Sequence, residues 1–259
     1  MRKGEYCPAE LYGQLISRFP AVRFASHSAS LRHMPFAGFA DANAKFFQLL
    51  AKNQDRTWFQ ARKAEFEAGY QAPMKELLGE VRAGIDRAYR HCDLDEPKLF
   101  RIFRDVRFSK DKSPYKTHVG GLIPISRRGK VTEVPMALYL HVGQPNSFAA
   151  AGHYMMEPRS LERYRAAVVD DKRGKELTKL LAALSKKGFS VHSYESYKRM
   201  PKGFDAGHPR AEHLLRKGLT VGFPELPKGI LASPKFSPWL VSQAKLAAPL
   251  VEWLTFATH

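Results

Sequence analysis

The chain has 259 residues, 42 Lys+Arg against 25 Asp+Glu, and a formal net charge of +17. Its 44% hydrophobic content, with 17 Phe, 10 Tyr and 3 Trp, supplies a core and excludes a disordered polyelectrolyte. The longest apolar runs, such as Met136–Leu140, are about five residues, where a membrane span needs about 20.

The surplus of positive charge predicts attraction to anions: phosphates, nucleotides or acidic surfaces. The two cysteines, Cys7 and Cys92, are too few for a disulfide framework or a four-Cys zinc site. A single Cys7–Cys92 bridge is one reading; a reduced, cytoplasmic protein is the favoured one.

Residues 1–33 carry five Lys/Arg and two acids, Glu5 and Glu10. They read as an N-terminal helix (Ala9–Phe19), as a loosely ordered extension, or as an acid-poor targeting segment. The extension is favoured, with one α+β domain over 34–259. The remainder still carries +14, so the basic character belongs to that domain.

Asp41 is placed to cap a helix through Phe46, Phe47, Leu49 and Leu50, and Asp55 a second with Trp58, Phe59, Phe66 and Tyr70. Pro73 suits the first position of a third, with Met74, Leu77, Leu78, Val81 and Ile85 at helical spacing. From Lys98 to Phe108 the period changes to two. Phe100, Ile102, Val106 and Phe108 share one side, and Arg101, Asp105 and Arg107 the other. Val119–Ile125 and Val134–Val142 read as strands around the turn 127–130, and Ser147–Met155 as a weaker one. Helices are expected at Pro158–Val169, Lys172–Lys187 and Pro209–Lys217. Short strands are expected at Phe189–Tyr194 and Leu219–Phe223. A C-terminal helix from Pro234 should break or restart at Pro249. The pattern is α+β: an antiparallel or mixed central sheet flanked by N-terminal and C-terminal helices.

Residues 101–130 hold nine Lys/Arg and two Asp, a net of +7. Phe103, Phe108, Tyr115 and Ile123 should anchor the segment. Either Asp105 and Asp111 pair locally within a solvated loop, or an anionic ligand offsets the charge. Arg104 shares the apolar face of the expected strand, where a guanidinium requires a carboxylate or a ligand. Arg107 falls beside Asp105 on the other face, unless a bulge at 105–107 turns all three together. Arginines suit forked contacts to an anion, and Lys110, Lys112 and Lys116 suit point-charge contacts to phosphate. The segment is not a G-x-x-x-x-G-K-[ST] phosphate loop.

The run Arg104-Asp105-Val106-Arg107-Phe108-Ser109-Lys110-Asp111-Lys112-Ser113-Pro114-Tyr115-Lys116-Thr117 resembles the signature of a widespread conserved-hypothetical family, a domain of unknown function found in bacteria and fungi. Phe36-x-Gly38-Phe39, then Leu49-x-x-x-Asn53-x-x-x-x-Trp58-Phe59, are similar to it, as are Gly152-x-Tyr154-x-x-x-Pro158 and Pro201-Lys202-Gly203-Phe204. Together they span about residues 34–255. Gln54 departs from the pattern, where a second Asn is expected. The resemblance implies one α+β domain and carries no activity, substrate or cofactor.

Tyr139 and His141 alternate onto one strand face, with His118 and His153 near strand ends. His118, His141 and His153 with Asp105 or Asp111 are weighed as a metal set. No short His-x-His or helical His spacing supports it, and no metal is assigned; acid–base or hydrogen-bonding roles are preferred. Ser109 and Ser147 sit in no G-x-S-x-G. Lys186, Lys187, Lys198, Arg199 and Lys202 with Tyr194, Tyr197 and Phe204 form a second basic-aromatic stretch.

The favoured expectation is an enzyme or binding protein for a small phosphate- or carboxylate-bearing ligand. Arg104, Arg107, Lys110, Lys112, Lys116, Tyr139 and His141 would hold it. Asp105, Asp111, Tyr115 and His118 are the candidate acid–base groups. Alternatives are a nucleic-acid-binding protein using the same surface, or a module that docks an acidic partner. Cofactor and oligomeric state are left open.

Overall fold

The computed structural model describes residues 35–107, 109–130 and 136–259. The readings made for 1–33, for Phe108 and for 131–135 lie outside the described residues.

The N-terminal helices are α1 (Lys45–Lys52), α2 (Arg56–Ala61), α3 (Lys63–Phe66) and α4 (Ala72–Ile85). Asp41 and Asp55 act as expected: Asp41 accepts from Phe46 N at 2.8 Å, and Asp55 from Trp58 N at 2.9 Å. Ahead of them, Phe36 and Phe39 are buried. Between these two, Gly38 (φ 114°) runs so close to Ala232 that a Cβ would meet its carbonyl carbon at 2.5 Å. Only glycine fits that backbone and that approach.

Pro73 does fall in the first turn of α4, but no loop precedes it. A π-helical turn, Glu67–Gln71, joins α3 to α4, so the rod runs continuously through the proline. The Ala72 amide donates to Glu67 O, five residues back. The extra residue in that turn absorbs the missing N–H and the ring clash that proline imposes on a regular helix.

The sheet is seven-stranded among the described residues, in the order β1-β3-β4-β5-β7-β6, with β2 also on β3. Its strands are β1 (Cys92–Leu94), β2 (Lys98–Leu99), β3 (His118–Arg127), β4 (Met136–Gly143), β5 (Phe148–His153), β6 (Ser190–His192) and β7 (Leu219–Gly222). Every pairing is antiparallel. Cys92 in β1 is a buried free thiol, which burial pushes up to about 12. Helices α5 (Pro158–Val169) and α6 (Asp171–Ser185) fall where their periodicity placed them, α7 (Ala211–Leu214) is shorter than expected, and α8 (Phe236–Thr258) closes the chain. No described helix is long and apolar enough to cross a membrane.

Pro249 does not break α8, which runs on to Thr258. An interior proline costs about 3 kcal/mol. Beyond it Leu250, Val251 and Leu254 are fully buried, and each such side chain contributes roughly 1.5–3 kcal/mol. The packing outweighs the lost hydrogen bond.

Paired residues in an antiparallel sheet point to the same face. One face (Val119, Ile123, Leu138, Leu140, Val142, Ala151) is buried in the core with α4 and α8. Gly121 lies on this side, where a Cβ would meet Leu78 at 2.5 Å. The opposite face carries His118, Leu122, Tyr139, His141 and Phe148, because the register pairs Leu122 with Tyr139 and His141 with both Gly120 and Phe148.

Candidate functional site

The expected strand from Lys98 to Phe108 is only two residues long, Lys98–Leu99. Beyond it, two irregular antiparallel stretches continue through Phe100 N to Gly120 O (2.9 Å), Lys116 N to Ile102 O (2.7 Å) and Arg104 N to Pro114 O (2.9 Å). The like charges at 101–116 disfavour a flat ladder, and isolated anchors hold the loop instead. Tyr115 is buried and stacks on Phe59, ring centres 4.5 Å apart, and Ile102 is buried beside it. Gln54 Oε1 accepts from Tyr115 N at 3.0 Å, so the residue that departs from the family pattern fastens this loop to α2. Phe103, expected to be an anchor, is 46% exposed.

The loop tip neutralises itself. Asp105 accepts from Arg107 Nε at 2.9 Å and from a terminal nitrogen at 2.6 Å. Asp111 accepts from Arg104 and from Ser113 N. Lys112 Nζ donates to Val106 O at 2.8 Å, and Lys110 is exposed. The Arg107 pair holds the Asp105 carboxyl down to about 2. Ser113, and then Arg104, do the same to Asp111. Carboxylates this acidic stay ionised and are weak bases at neutral pH, so their observed role is to pair the loop's arginines.

The base of the loop is different. Lys116 is 3% exposed; its Nζ donates to Arg101 O at 3.1 Å and lies 5.5 Å from the Phe100 ring centre. Next along the chain, His118 stacks on His141, ring centres 3.9 Å apart. Phe148 closes the other side of His141 at 4.8 Å, making a three-ring stack across β3, β4 and β5. Tyr139 Oη lies 3.3 Å from His141 Nδ1. Gly120 makes room: a Cβ there would meet Tyr139 Oη at 3.0 Å and Phe100 at 3.3 Å.

Burial lowers His141 to about 4. Burial, then His141, Lys116 and Arg104, lower His118 to about 2. Both rings are neutral imidazoles at physiological pH. His118 Nε2 and Arg104 Nε are enclosed without a hydrogen-bond partner among the described residues.

The structure therefore brings Arg104, Lys116, His118, Tyr139 and His141 together. It leaves Asp105, Arg107, Lys110 and Lys112 in the tip, and Tyr115 as a packing anchor. His153 does not join the histidine pair. It sits at the far end of β5, five residues from Phe148, or roughly 17 Å along the strand. No group of three or more His, Cys, Asp or Glu that could hold a metal occurs among the described residues. Ser147 Oγ accepts from Gly143 N at 3.2 Å and shapes the β4–β5 turn. Phe148 and Gln54 went unread as site residues, because only strand register and loop docking bring them in. A shallow cleft of about 580 Å³ between α4 and α8, lined by Gly79, Glu80, Ala83, Ser237, Pro238 and Val241, holds one ionisable group. That group, Glu80, accepts from Phe36 N at 2.6 Å.

These features define an α+β protein whose antiparallel sheet packs helices on one face and carries a stacked histidine pair, beside a basic loop, on the other. A family model described as Conserved hypothetical protein (DUF2461) matches residues 42–253, and the chain belongs to that family. No curated protein and no solved structure matches it.

Proposed function

We propose that the chain binds a small anionic ligand, carrying phosphate or carboxylate, at the base of the 101–118 loop. One observation carries the reading: Arg104 Nε and His118 Nε2 are enclosed without partners among the described residues, near the buried Lys116. Polar nitrogens enclosed without a hydrogen-bond partner are unfavourable unless a ligand joins them. An anion supplies the acceptor and reverses the electrostatics on His118. Its charge favours the imidazolium, so binding raises the histidine pKa and takes up a proton. A His118 poised this way is a general acid toward a bound anionic substrate, with Tyr139 and His141 behind it in a hydrogen-bonded stack.

The test is a thermal-shift screen of the full chain against nucleotides, phosphosugars and acidic metabolites, repeated on Arg104→Met and His118→Gln. The reading expects a stabilising anion whose effect both substitutions abolish, with proton uptake measured calorimetrically in buffers of different ionisation enthalpy. Anions that stabilise the variants as well as the parent chain overturn it.

A second reading, single-stranded nucleic acid, draws on the exposed Phe103 beside Arg101, since stacking needs an accessible ring next to cations. Its signature is oligonucleotide affinity that falls steeply with salt and drops in Phe103→Ala. Salt-independent affinity removes it.

A further inference from the structure

Away from the histidine pair, a second set of enclosed donors converges between α5, α7 and the chain around residues 195–197. Tyr164 of α5 is fully buried, its ring edge-on to Trp253 at 6.2 Å, and its hydroxyl has no hydrogen-bond partner among the described residues. The adjacent Arg165 donates through Nε to Leu214 O at 3.0 Å and lies 4.9 Å over the Tyr197 ring. One of its terminal nitrogens remains enclosed and unpartnered.

Arg216 is bridged through its backbone to Ser196, and its Nε is likewise enclosed. His213, three residues earlier and 6% exposed, has an unpartnered Nδ1. The pairing of His153 with Leu219, and of Met156 N with Lys217 O at 2.9 Å, sets this cluster at the His153 end of β5, opposite to the His141 end.

Among the described residues, neither neighbouring acid is ion-paired with Arg165 or Arg216. Glu195 is taken by Lys217 at 2.5 Å. Glu212 has a side chain 71% exposed and lies 3.4 Å from the other ring nitrogen of His213. Both guanidiniums are close enough to bear on the Tyr164 hydroxyl: burial pushes its ionisation upward, and Arg216 and Arg165 pull it back.

We propose that Tyr164, Arg165, His213 and Arg216 form a second anion site, one that takes a phosphate group. The groups come from α5, α7 and the stretch that follows α7. That suits a tetrahedral oxyanion, whose oxygens accept in several directions, better than a carboxylate, whose lone pairs lie in one plane. Two arginines supply charge, the tyrosine hydroxyl adds a donor, and His213 Nδ1 donates once a bound phosphate draws a proton onto the ring, whose Nε2 faces Glu212. The sequence offers no phosphate-loop motif here; the site is assembled by tertiary contacts.

Calorimetric and thermal-shift titration of the full chain with inorganic phosphate tests the site. Tyr164→Phe and Arg216→Met are each expected to raise the phosphate Kd by about tenfold or more, the effect of losing one charge-assisted hydrogen bond. Arg107→Ala, in the exposed loop tip, should leave it unchanged. Tyr164→Phe keeps the ring packing and serves if Arg216→Met folds poorly. The proposal is overturned if phosphate does not bind the parent chain, or if it binds both variants as tightly as the parent. It is also overturned if Arg104→Met alone abolishes the whole response, which assigns phosphate to the histidine pair.

Discussion

The tip and the base of the 101–118 loop are made of the same residue types and behave in opposite ways. At the tip, Asp105 and Asp111 pair with Arg107 and Arg104, and the Arg107 side chain is 70% exposed. At the base, Lys116 is buried and His118 is pressed against His141, while Arg104 Nε is enclosed without a partner among the described residues. Charge density alone therefore does not locate a site. A solvated, self-paired cluster contributes little, whereas a few enclosed donors without acceptors create a demand for a ligand. The +7 of residues 101–130 is also divided in space. Six Lys/Arg and two Asp lie in 101–116, and three more cations, Arg127, Arg128 and Lys130, lie at or just past the other end of β3. Two of those are engaged elsewhere: Arg127 over Phe256 at 5.0 Å, and Arg128 with Asp93 at 3.4 Å.

The largest expected effect comes from cutting the base away from the fold. Tyr115→Ala removes a buried ring stacked on Phe59 and should destabilise the chain by about 3–5 kcal/mol in urea unfolding, as truncation of a buried aromatic does. A loss below about 1 kcal/mol would mean that the loop is anchored elsewhere, and the contrast between tip and base would collapse.

The next effect is on pH. His118 and His141 have folded pKa values lowered from 6.5, to about 2 and about 4. The unfolded chain therefore binds more protons between these limits, and stability falls as pH drops below about 6.5. His141 alone should remove roughly 2 kcal/mol by pH 5. His141→Phe, which keeps a ring in the stack, should flatten that part of the profile. Identical acid profiles for parent and variant would show that the pair is not held neutral.

How far this was readable follows from what sets each element. The helix at 158–169 and the β3–β4 hairpin depend on local periodicity, and both were legible. The runs through Pro73 and Pro249 were not, because a π-turn and the burial of Leu250, Val251 and Leu254 decide them. The alternation at 98–108 suggested a strand, but repulsion among the arginines and lysines leaves only anchors at Ile102 and Tyr115. Strand parity correctly put Tyr139 and His141 on one face. It could not give the β4–β5 register that lays Phe148 on His141, nor the separation of His153 from the pair. Arg165 and Arg216 lie 51 residues apart in sequence, and no local pattern joins them.

The smallest effects separate the two partners of the tip from each other. Arg107 and Asp105 are two residues apart, and Arg107 is open to solvent, so Arg107→Ala should leave the urea midpoint unchanged. Asp111→Asn differs. Arg104 has a side chain only 19% exposed and is tied to Asp111, so neutralising that carboxylate leaves a largely enclosed guanidinium without the charged partner it has among the described residues. The expected result is a measurable fall in urea midpoint for Asp111→Asn and none for Arg107→Ala. Adding an anion that binds the base should restore stability to Asp111→Asn more than to the parent chain, because the ligand then supplies the missing negative charge. Equal rescue of the two chains would place Arg104 outside the anion's reach and assign the guanidinium wholly to the tip.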